Sequence, residues 1–377
     1  MAGVKSRIKN IGKLFLLHGL FPAVYRMHCI RPVKKGQVLF LEIRYAELSN
    51  NFTLLYEEFC KKEAFHVKVS FLGNSVFSFR EYISRCLKML GLLAGSEIVF
   101  VNESSNVLAA LPVRSQTKLV QTWHGCGAFK RFGYDGVTEL KERYYNDYLF
   151  TTVSSEEVVD IYAKSMGQER SRVLPIGVSR TDVFFDRKYV EGCRERIMEC
   201  FGIGSGKKIV LYAPTFRGNV GAAQSPRLFN PSVLYGLLGE EYVVLYKGHP
   251  AVRVNWEVPK NCSHCYKDAS GEPIEALLCA ADLCVTDYSS LIFEFALLER
   301  PMYFYAYDYE LYSRERGFYY PLDTFLPGPV CRTEVELAQA ILHPSPADLQ
   351  RVREFREKFM SACDGHATQR IMERLAK

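Results

Sequence analysis

Short apolar runs alternating with helical stretches constrain this chain more than any other feature. Val38 to Ile43 reads as a strand, Asn51 to Glu63 as a helix and Val67 to Leu72 as a second strand. Tyr82 to Leu93 is helical, and Ile98 to Val101 and Leu119 to Thr122 are strands again. The pattern restarts beyond Leu174-Pro175-Ile176-Gly177-Val178, with strands at Ile209 to Tyr212, Tyr242 to Tyr246, Leu283 to Val285 and Met302 to Tyr305. Strands separated by crossover helices make parallel sheets. With 377 residues and 48% hydrophobic content, the chain can fill two cores. The expected fold is α/β, with two Rossmann-like, doubly wound domains facing each other across a cleft. Residues 36–172 would form the first domain and 173–345 the second. Pro344 to Pro346 then introduces one charged helix, 346–377, expected to return toward the first domain.

Polar residues gather where the strands end. Leu283 to Val285 has the look of a buried parallel strand. It breaks at Thr286-Asp287-Tyr288-Ser289-Ser290, and Leu291, Phe295 and Leu298 follow at helical spacing. A strand feeding a helix through such a turn leaves backbone N–H groups free to bind an anion. In open α/β sheets these turns lie at the carboxyl ends of the strands, where ligands bind. Two preceding strand ends carry cations, Arg217 after Tyr212-Ala213-Pro214-Thr215-Phe216, and Lys247, His249 and Arg253 after Tyr246. Convergence of these with Thr286, Ser289 and Ser290 suits a pyrophosphate. In the first half, Gln121-Thr122-Trp123-His124-Gly125-Cys126-Gly127 ends a strand, with Lys130 and Arg131 beyond. Gly125 and Gly127 permit a tight turn that presents His124, whose imidazole titrates near neutral pH.

No acid precedes Glu42, while Lys5, Arg7, Lys9, Lys13, Arg26, Arg31, Lys34 and Lys35 are basic. Val4, Ile8, Ile11 and Phe15 recur at helical spacing, with Lys9 and Lys13 opposite. The apolar run from Leu14 to Val24 is interrupted and too short to span a bilayer. Residues 1–35 therefore read as a basic amphipathic segment lying on an anionic membrane surface, the alternative being a helix packed on the protein's own core with a solvated basic face. The net charge of +6 agrees with an anionic partner. The 12 cysteines lack metal-site or disulfide spacing: Cys262 and Cys265 form a C-x-x-C without a second pair at a zinc-site distance. They read as reduced thiols, and no metal site is expected.

The motifs QTWHG, LYAPTFRG, YKGHP with a following Arg, and TDYSS with a downstream Phe-Glu resemble, in order and spacing, the CDP-glycerol glycerophosphotransferases of teichoic acid synthesis. The resemblance runs from about Leu119 to about Pro329. It implies a GT-B architecture and peripheral attachment at the cytoplasmic face of the membrane. It also implies transfer of a polyol phosphate from CDP-glycerol or CDP-ribitol to a lipid-linked saccharide or polyol-phosphate acceptor, releasing CMP. On this resemblance His124 and His249 are the catalytic histidines, His124 as general base and His249 at the donor pyrophosphate. Thr215, Arg217, Lys247, Arg253, Thr286, Asp287, Ser289, Ser290 and Glu294 are donor-binding, with Glu294 toward the ribose. Trp123, Gly125 and Lys130 fall on the acceptor side. The family often continues WHG with Thr-Pro-Leu-Lys, whereas this chain reads Cys126-Gly127-Ala128-Phe129-Lys130.

No cofactor and no nucleic acid enter this reading. Three alternatives share the motifs or the fold. They are a ribitol-phosphate or capsule polymer transferase, a GT-B nucleotide-sugar glycosyltransferase or epimerase, and an inactive membrane-associated assembly protein.

Overall fold

The computed structural model describes residues 11–73, 76–136, 143–218, 223–249, 252 and 258–376. The chain folds as two compact units, the first comprising 1–125, 132–180 and 366–377 and the second 126–131 and 181–365. The short segment 126–131 thus leaves the first unit and packs with the second, which the sequence pattern does not announce.

The first unit is built on a six-stranded sheet ordered β2-β1-β3-β4-β5-β6. Its strands are β1 (Lys34–Glu42), β2 (His66–Phe71), β3 (Ser96–Val101), β4 (Lys118–Gln121), β5 (Phe150–Thr152) and β6 (Val173–Leu174). All neighbouring pairs are parallel. β1 is buried on both faces from Gly36's neighbour Gln37 onward, which explains its unbroken apolar run. Val38, Phe40, Phe52, Leu55, Phe59, Ile98, Phe100, Val120 and Phe150 form its core, closed by Ile371 and Leu375 from the end of the chain.

The second unit repeats the plan in the order β12-β11-β10-β7-β8-β9. Its strands are β7 (Lys208–Ala213), β8 (Tyr242–Tyr246), β9 (Tyr266–Asp268), β10 (Leu283–Thr286), β11 (Met302–Tyr305) and β12 (Val330–Cys331). They too pair in parallel. Cys262 and Cys265 are buried thiols in this unit's core.

Each sheet reverses strand order once. The chain steps from β1 out to β2 and returns on the other side as β3, and it steps from β7 through β8 and β9 and returns as β10. Crevices outside the carboxyl ends of such strand pairs are where doubly wound sheets bind ligands.

Three local features differ from the sequence expectation. The helix expected to begin near Tyr82 begins at Phe79, because Ser78 and Glu81 form a reciprocal capping box. The final helix is two helices, Pro346–Phe359 and Ala367–Ala376. Gly365 lies between them at φ +89, with a Cβ there falling 2.9 Å from Phe185 Cβ. The second of these helices belongs to the first unit, where burying Ile371 and Leu375 is worth about 1.5–3 kcal/mol per side chain.

The third difference is at the N-terminus, where Val4, Lys5, Arg7, Ile8 and Lys9 lie outside the described residues. Residues 11–28 are helical, with a π-turn at Leu16–Leu20. Leu17, Phe21 and Tyr25 are buried on the first unit, the Tyr25 hydroxyl accepts from Arg114 N, and the Arg114 guanidinium donates to Arg31 O. Ile11, Leu14 and Phe15 stay on the surface. The segment therefore has one face in the unit's own core and a separate apolar edge in solvent.

Candidate functional site

In the first unit, β1 and β3 end side by side in acids and amides. Glu42, the last residue of β1, is fully buried, and its carboxylate accepts from Ser49 N at 2.7 Å and Asn102 Nδ2 at 2.9 Å. Asn102 and Glu103 follow β3. His124, three residues past β4, reaches this cluster with Nδ1 3.3 Å from Glu103 Oε2 and 3.4 Å from the Asn102 carbonyl oxygen. Arg44 Nη2 lies 3.4 Å from the Glu103 carboxylate. Glu103 is 7% exposed in its side chain, whereas His124 keeps 36% of its own surface.

Electrostatics separates this pair. Burial raises the Glu103 carboxyl to about 7, with Arg44 opposing and Glu42 adding to the rise. Burial, followed by the Arg44 and Arg180 cations, holds the His124 imidazole below its ordinary range. The imidazole is thus neutral at physiological pH, the state a proton acceptor needs.

The turn that presents His124 is strained at a place the glycines did not suggest. Trp123, at φ 56, adopts the left-handed conformation, while Gly125 does not. Trp123 N donates to Gln121 Oε1 at 2.9 Å, and the indole is buried beside His124, Phe132 and Tyr145. Trp123 is therefore an anchor of the turn. Gly125 O accepts from the Tyr162 hydroxyl. Gly127, at φ +60, lies so close to Phe293 that a Cβ would fall 2.1 Å from its ring, which only glycine tolerates. Lys130, expected beside the first domain's site, belongs to the second unit, where its ammonium lies 3.4 Å from the Tyr312 hydroxyl.

In the second unit, β7 and β10 end side by side at the switch point. Thr286 is fully buried, and its hydroxyl donates to Ala213 O at 2.7 Å, tying the two strand ends together. Asp287, also buried, accepts from Thr215 N at 2.8 Å, from the Thr215 hydroxyl, and from Tyr288 N at 2.6 Å. Arg217 Nη1 donates to Asp287 at 2.9 Å and to Thr215 O at 2.7 Å. Its Nε and Nη2 donate to Asp308 at 2.6 and 3.0 Å. The Tyr288 hydroxyl donates to Asp308 as well.

Several residues expected at the donor have protein partners. Thr215, Arg217 and Asp287 bond to one another, and Arg217 also to Asp308, because a mostly buried guanidinium needs carboxylate partners, while the Thr286 hydroxyl is taken by Ala213 O. Lys247 Nζ donates to Ser270 O at 2.7 Å and Glu272 O at 2.6 Å, pinning the turn after β9. Burial lowers its pKa against the opposing pull of Glu275, Glu272 and Asp268. Glu294 is buried within the helix Leu291–Ala296.

What remains at the surface is smaller. Ser289 is half-buried and Ser290 exposed, and Ser290 makes no side-chain cap bond to the six-residue helix that follows. Ser289 Oγ accepts only a long bond, 3.4 Å, from Leu291 N. The Ser289 and Ser290 amides make no hydrogen bond to any described residue. The half-buried His249 ring packs 4.6 Å from Phe216. Arg253 lies outside the described residues.

Sequence reading missed Glu42, Arg44, Asn102, Glu103 and Asp308. The signal was present, since each follows or ends a strand as Arg217 and Lys247 do.

Comparison with known proteins gives this geometry its context. Residues 23–377 match the family model described as CDP-Glycerol:Poly(glycerophosphate) glycerophosphotransferase. The teichoic acid poly(ribitol-phosphate) polymerase of Bacillus spizizenii is 33% identical over 94% of this chain, which spans 58% of that protein's length. The teichoic acid ribitol-phosphate primase of the same organism is 29% identical, with 95% of both chains covered. The teichoic acid glycerol-phosphate primase of Bacillus subtilis is 33% identical, covering 76% of this chain and 75% of that one. Among solved structures, the wall teichoic acid polymerase TagF superposes with a TM-score of 0.77 at 21% identity, over 100% of this chain and 98% of that one. A UDP-GlcNAc 2-epimerase from Neisseria meningitidis gives 0.58 at 13% identity, over 90% of this chain and 99% of that one. These neighbours and the two parallel sheets define a two-domain GT-B fold. The chain is a member of the CDP-glycerol:poly(glycerophosphate) glycerophosphotransferase family of enzymes.

Proposed function

We propose that this chain transfers glycerol phosphate or ribitol phosphate from its CDP-activated form to a membrane lipid-linked acceptor, releasing CMP. The carrying observation is His124, a neutral, partly exposed imidazole at the first unit's switch point, held through Nδ1. The acceptor's primary hydroxyl gives its proton to His124 as its oxygen attacks the donor's β-phosphorus. The bond from that phosphorus to the CMP oxygen breaks, and the electron pair leaves with CMP. The second unit binds the donor. Its Ser289 and Ser290 amides and hydroxyls, with His249, offer donors to the phosphates, while the Arg217–Asp287–Asp308 network holds that turn in place. A solved TagF complex includes CDPG, which supports a CDP-polyol as donor for this relative. No cofactor is required in this reading.

The test is CMP release from CDP-glycerol and CDP-ribitol in the presence of a lipid-linked disaccharide. Release from either, dependent on the acceptor, is the expected result. Release of UMP or UDP from a UDP-sugar, with none from the CDP-polyols, sinks the reading.

The site of action in this reading is an anionic membrane surface, approached peripherally from the cytoplasmic side. No helix among the described residues is long and apolar enough to cross a membrane. Ile11 and Phe15 are 67% and 65% exposed beside Leu14, and Arg26, Arg31, Lys34 and Lys35, further along the chain, are exposed as well. Ser at Ile11, Leu14 and Phe15 together should abolish flotation with phosphatidylglycerol vesicles while the melting temperature holds. Unchanged flotation removes this edge from the membrane contact.

A further inference from the structure

Glu103 is the buried acid nearest His124, and its surroundings specify which imidazole nitrogen carries the proton. Two oxygens face His124 Nδ1, the Glu103 carboxylate at 3.3 Å and the Asn102 carbonyl at 3.4 Å. A carbonyl oxygen only accepts, and an ionised carboxylate only accepts. One proton on Nδ1 satisfies both, so the tautomer assigned by these partners leaves the lone pair on Nε2.

The carboxyl is itself held. Arg44 Nη2 lies 3.4 Å from both of its oxygens, and the side chain is buried beside Asn102. The fully buried Gln121 carboxamide joins the two residues through their backbones, donating to Glu103 O at 3.4 Å while accepting from Trp123 N at 2.9 Å. The strained Trp123 turn is thus tied to the acid that faces the histidine it presents.

We propose that Glu103 is the positioning residue of His124: it fixes the Nδ1–H tautomer and stabilises the imidazolium formed when Nε2 takes the acceptor's proton. This rests on the reading of His124 as general base. Proton balance needs nothing further. The hydroxyl proton moves to Nε2, the oxygen's electron pair forms the bond to phosphorus, the departing pair leaves on CMP, and Glu103 ends as it began.

The groups facing the pair give a pH signature. Arg44, Glu42 and the Tyr145 phenol surround Glu103, and Arg44 and Arg180 act on His124. Burial outweighs Arg44 at Glu103, so the carboxylate fills as pH rises through about 7. His124 is already neutral across that range. Turnover should therefore climb through about pH 7 on a limb that belongs to Glu103.

The experiment compares full-length wild type, Glu103→Gln, Glu103→Asp and His124→Ala by steady-state CMP release, with ¹⁵N-histidine NMR at pH 8 reporting the His124 tautomer. Glutamine can donate its amide N–H to Nδ1 and so favours the wrong tautomer. Glu103→Gln should lower kcat about 10²-fold with the donor KM unchanged, flatten the limb near pH 7 and shift the NMR signal toward Nε2–H. Glu103→Asp should recover part of the rate and the limb. Wild-type kcat and limb in Glu103→Gln, or an Nε2–H tautomer in the wild type, overturns the proposal. Should Glu103→Gln fail to fold, the wild-type tautomer and the Glu103→Asp profile decide it on the same terms. Full turnover in His124→Ala overturns the general-base reading and the catalytic use of the pair, while the NMR still reports whether Glu103 sets the tautomer.

Discussion

In the second unit the buried cation, Arg217, is enclosed by the carboxylates of Asp287 and Asp308, and four hydrogen bonds close around it. In the first unit the buried charge site is an acid, Glu103, which faces a partly exposed imidazole and an exposed guanidinium. Both clusters sit where a parallel sheet reverses its strand order. The difference lies in what is left over. The Arg217 network consumes its own polar atoms and leaves the Ser289 and Ser290 amides without a bond to any described residue, which in the proposed function is an arrangement for binding. The Glu103 network leaves the other imidazole nitrogen of His124, Nε2, with a lone pair that can take a proton, which in the proposed function is an arrangement for chemistry.

That division predicts, first, that removing the imidazole destroys turnover and spares donor binding. His124→Ala should lower kcat by about 10²–10⁴-fold, the usual worth of a positioned base. Calorimetry should find CDP-glycerol affinity nearly unchanged. Loss of donor binding in this variant would break the comparison, because the first unit would then be binding the donor too.

The second test addresses Arg217. Its side chain is 13% exposed, and deleting it strands the buried Asp287 carboxylate and the partly buried one of Asp308. Arg217→Ala should cost about 3–5 kcal/mol of the second unit's stability, read from urea denaturation. If stability holds while donor affinity collapses, Arg217 is a ligand contact and the network is not scaffolding.

A smaller effect is expected at the turn itself. Replacing Ser289 and Ser290 by Ala should raise the CDP-glycerol dissociation constant roughly ten- to hundredfold, since a hydrogen bond to a charged group is worth about 1.5–3 kcal/mol. Cytidine, which has the base and ribose without phosphate, should bind as before. The melting temperature should move little, because Ser290 makes no capping bond and that of Ser289 is long. Equal weakening for both ligands would assign the serines to the nucleoside.

These contrasts show how far sequence reading reaches. The sheets were legible because parallel strands buried on both faces write continuous apolar runs, as Val38 to Leu41 and Tyr242 to Tyr246 do. β5, β6, β9 and β12 were not, being only two or three residues long, with Thr in β5 and Lys and Asp in β9 breaking the apolar pattern as well. Motif residues mark where a ligand site lies, but a string of letters cannot distinguish a side chain that touches the ligand from one that braces the turn. Arg217 and Ser289 read alike in sequence; burial and partners separate them. Glu103 stayed hidden because it reaches His124 from another strand end, 21 residues away in the chain.

The smallest effect expected is a cancellation, and it tests whether the first unit's charges are paired as described. Burial raises Glu103 from 4.5 to about 7. The folded chain then holds a proton that the unfolded chain releases, so this contribution to stability is full below about pH 4.5 and lost as pH rises through about 7. Burial, then Arg44 and Arg180, depresses His124 from 6.5 to about 3. Here the unfolded chain holds the extra proton, so the contribution is full above about pH 6.5 and lost as pH falls through about 3. Between about pH 4.5 and 6.5 the two slopes have opposite signs and offset each other. Glu103→Gln removes one of them, and its melting temperature should rise with pH across that window relative to wild type. His124→Ala removes the other, and its melting temperature should fall with pH relative to wild type. All remaining titrating groups are common to the three proteins, so the differences between their profiles isolate the pair. If both variants track the wild-type slope, the acid and the imidazole are not perturbed in opposite directions, and the contrast between a chemical first unit and a binding second unit loses its electrostatic basis.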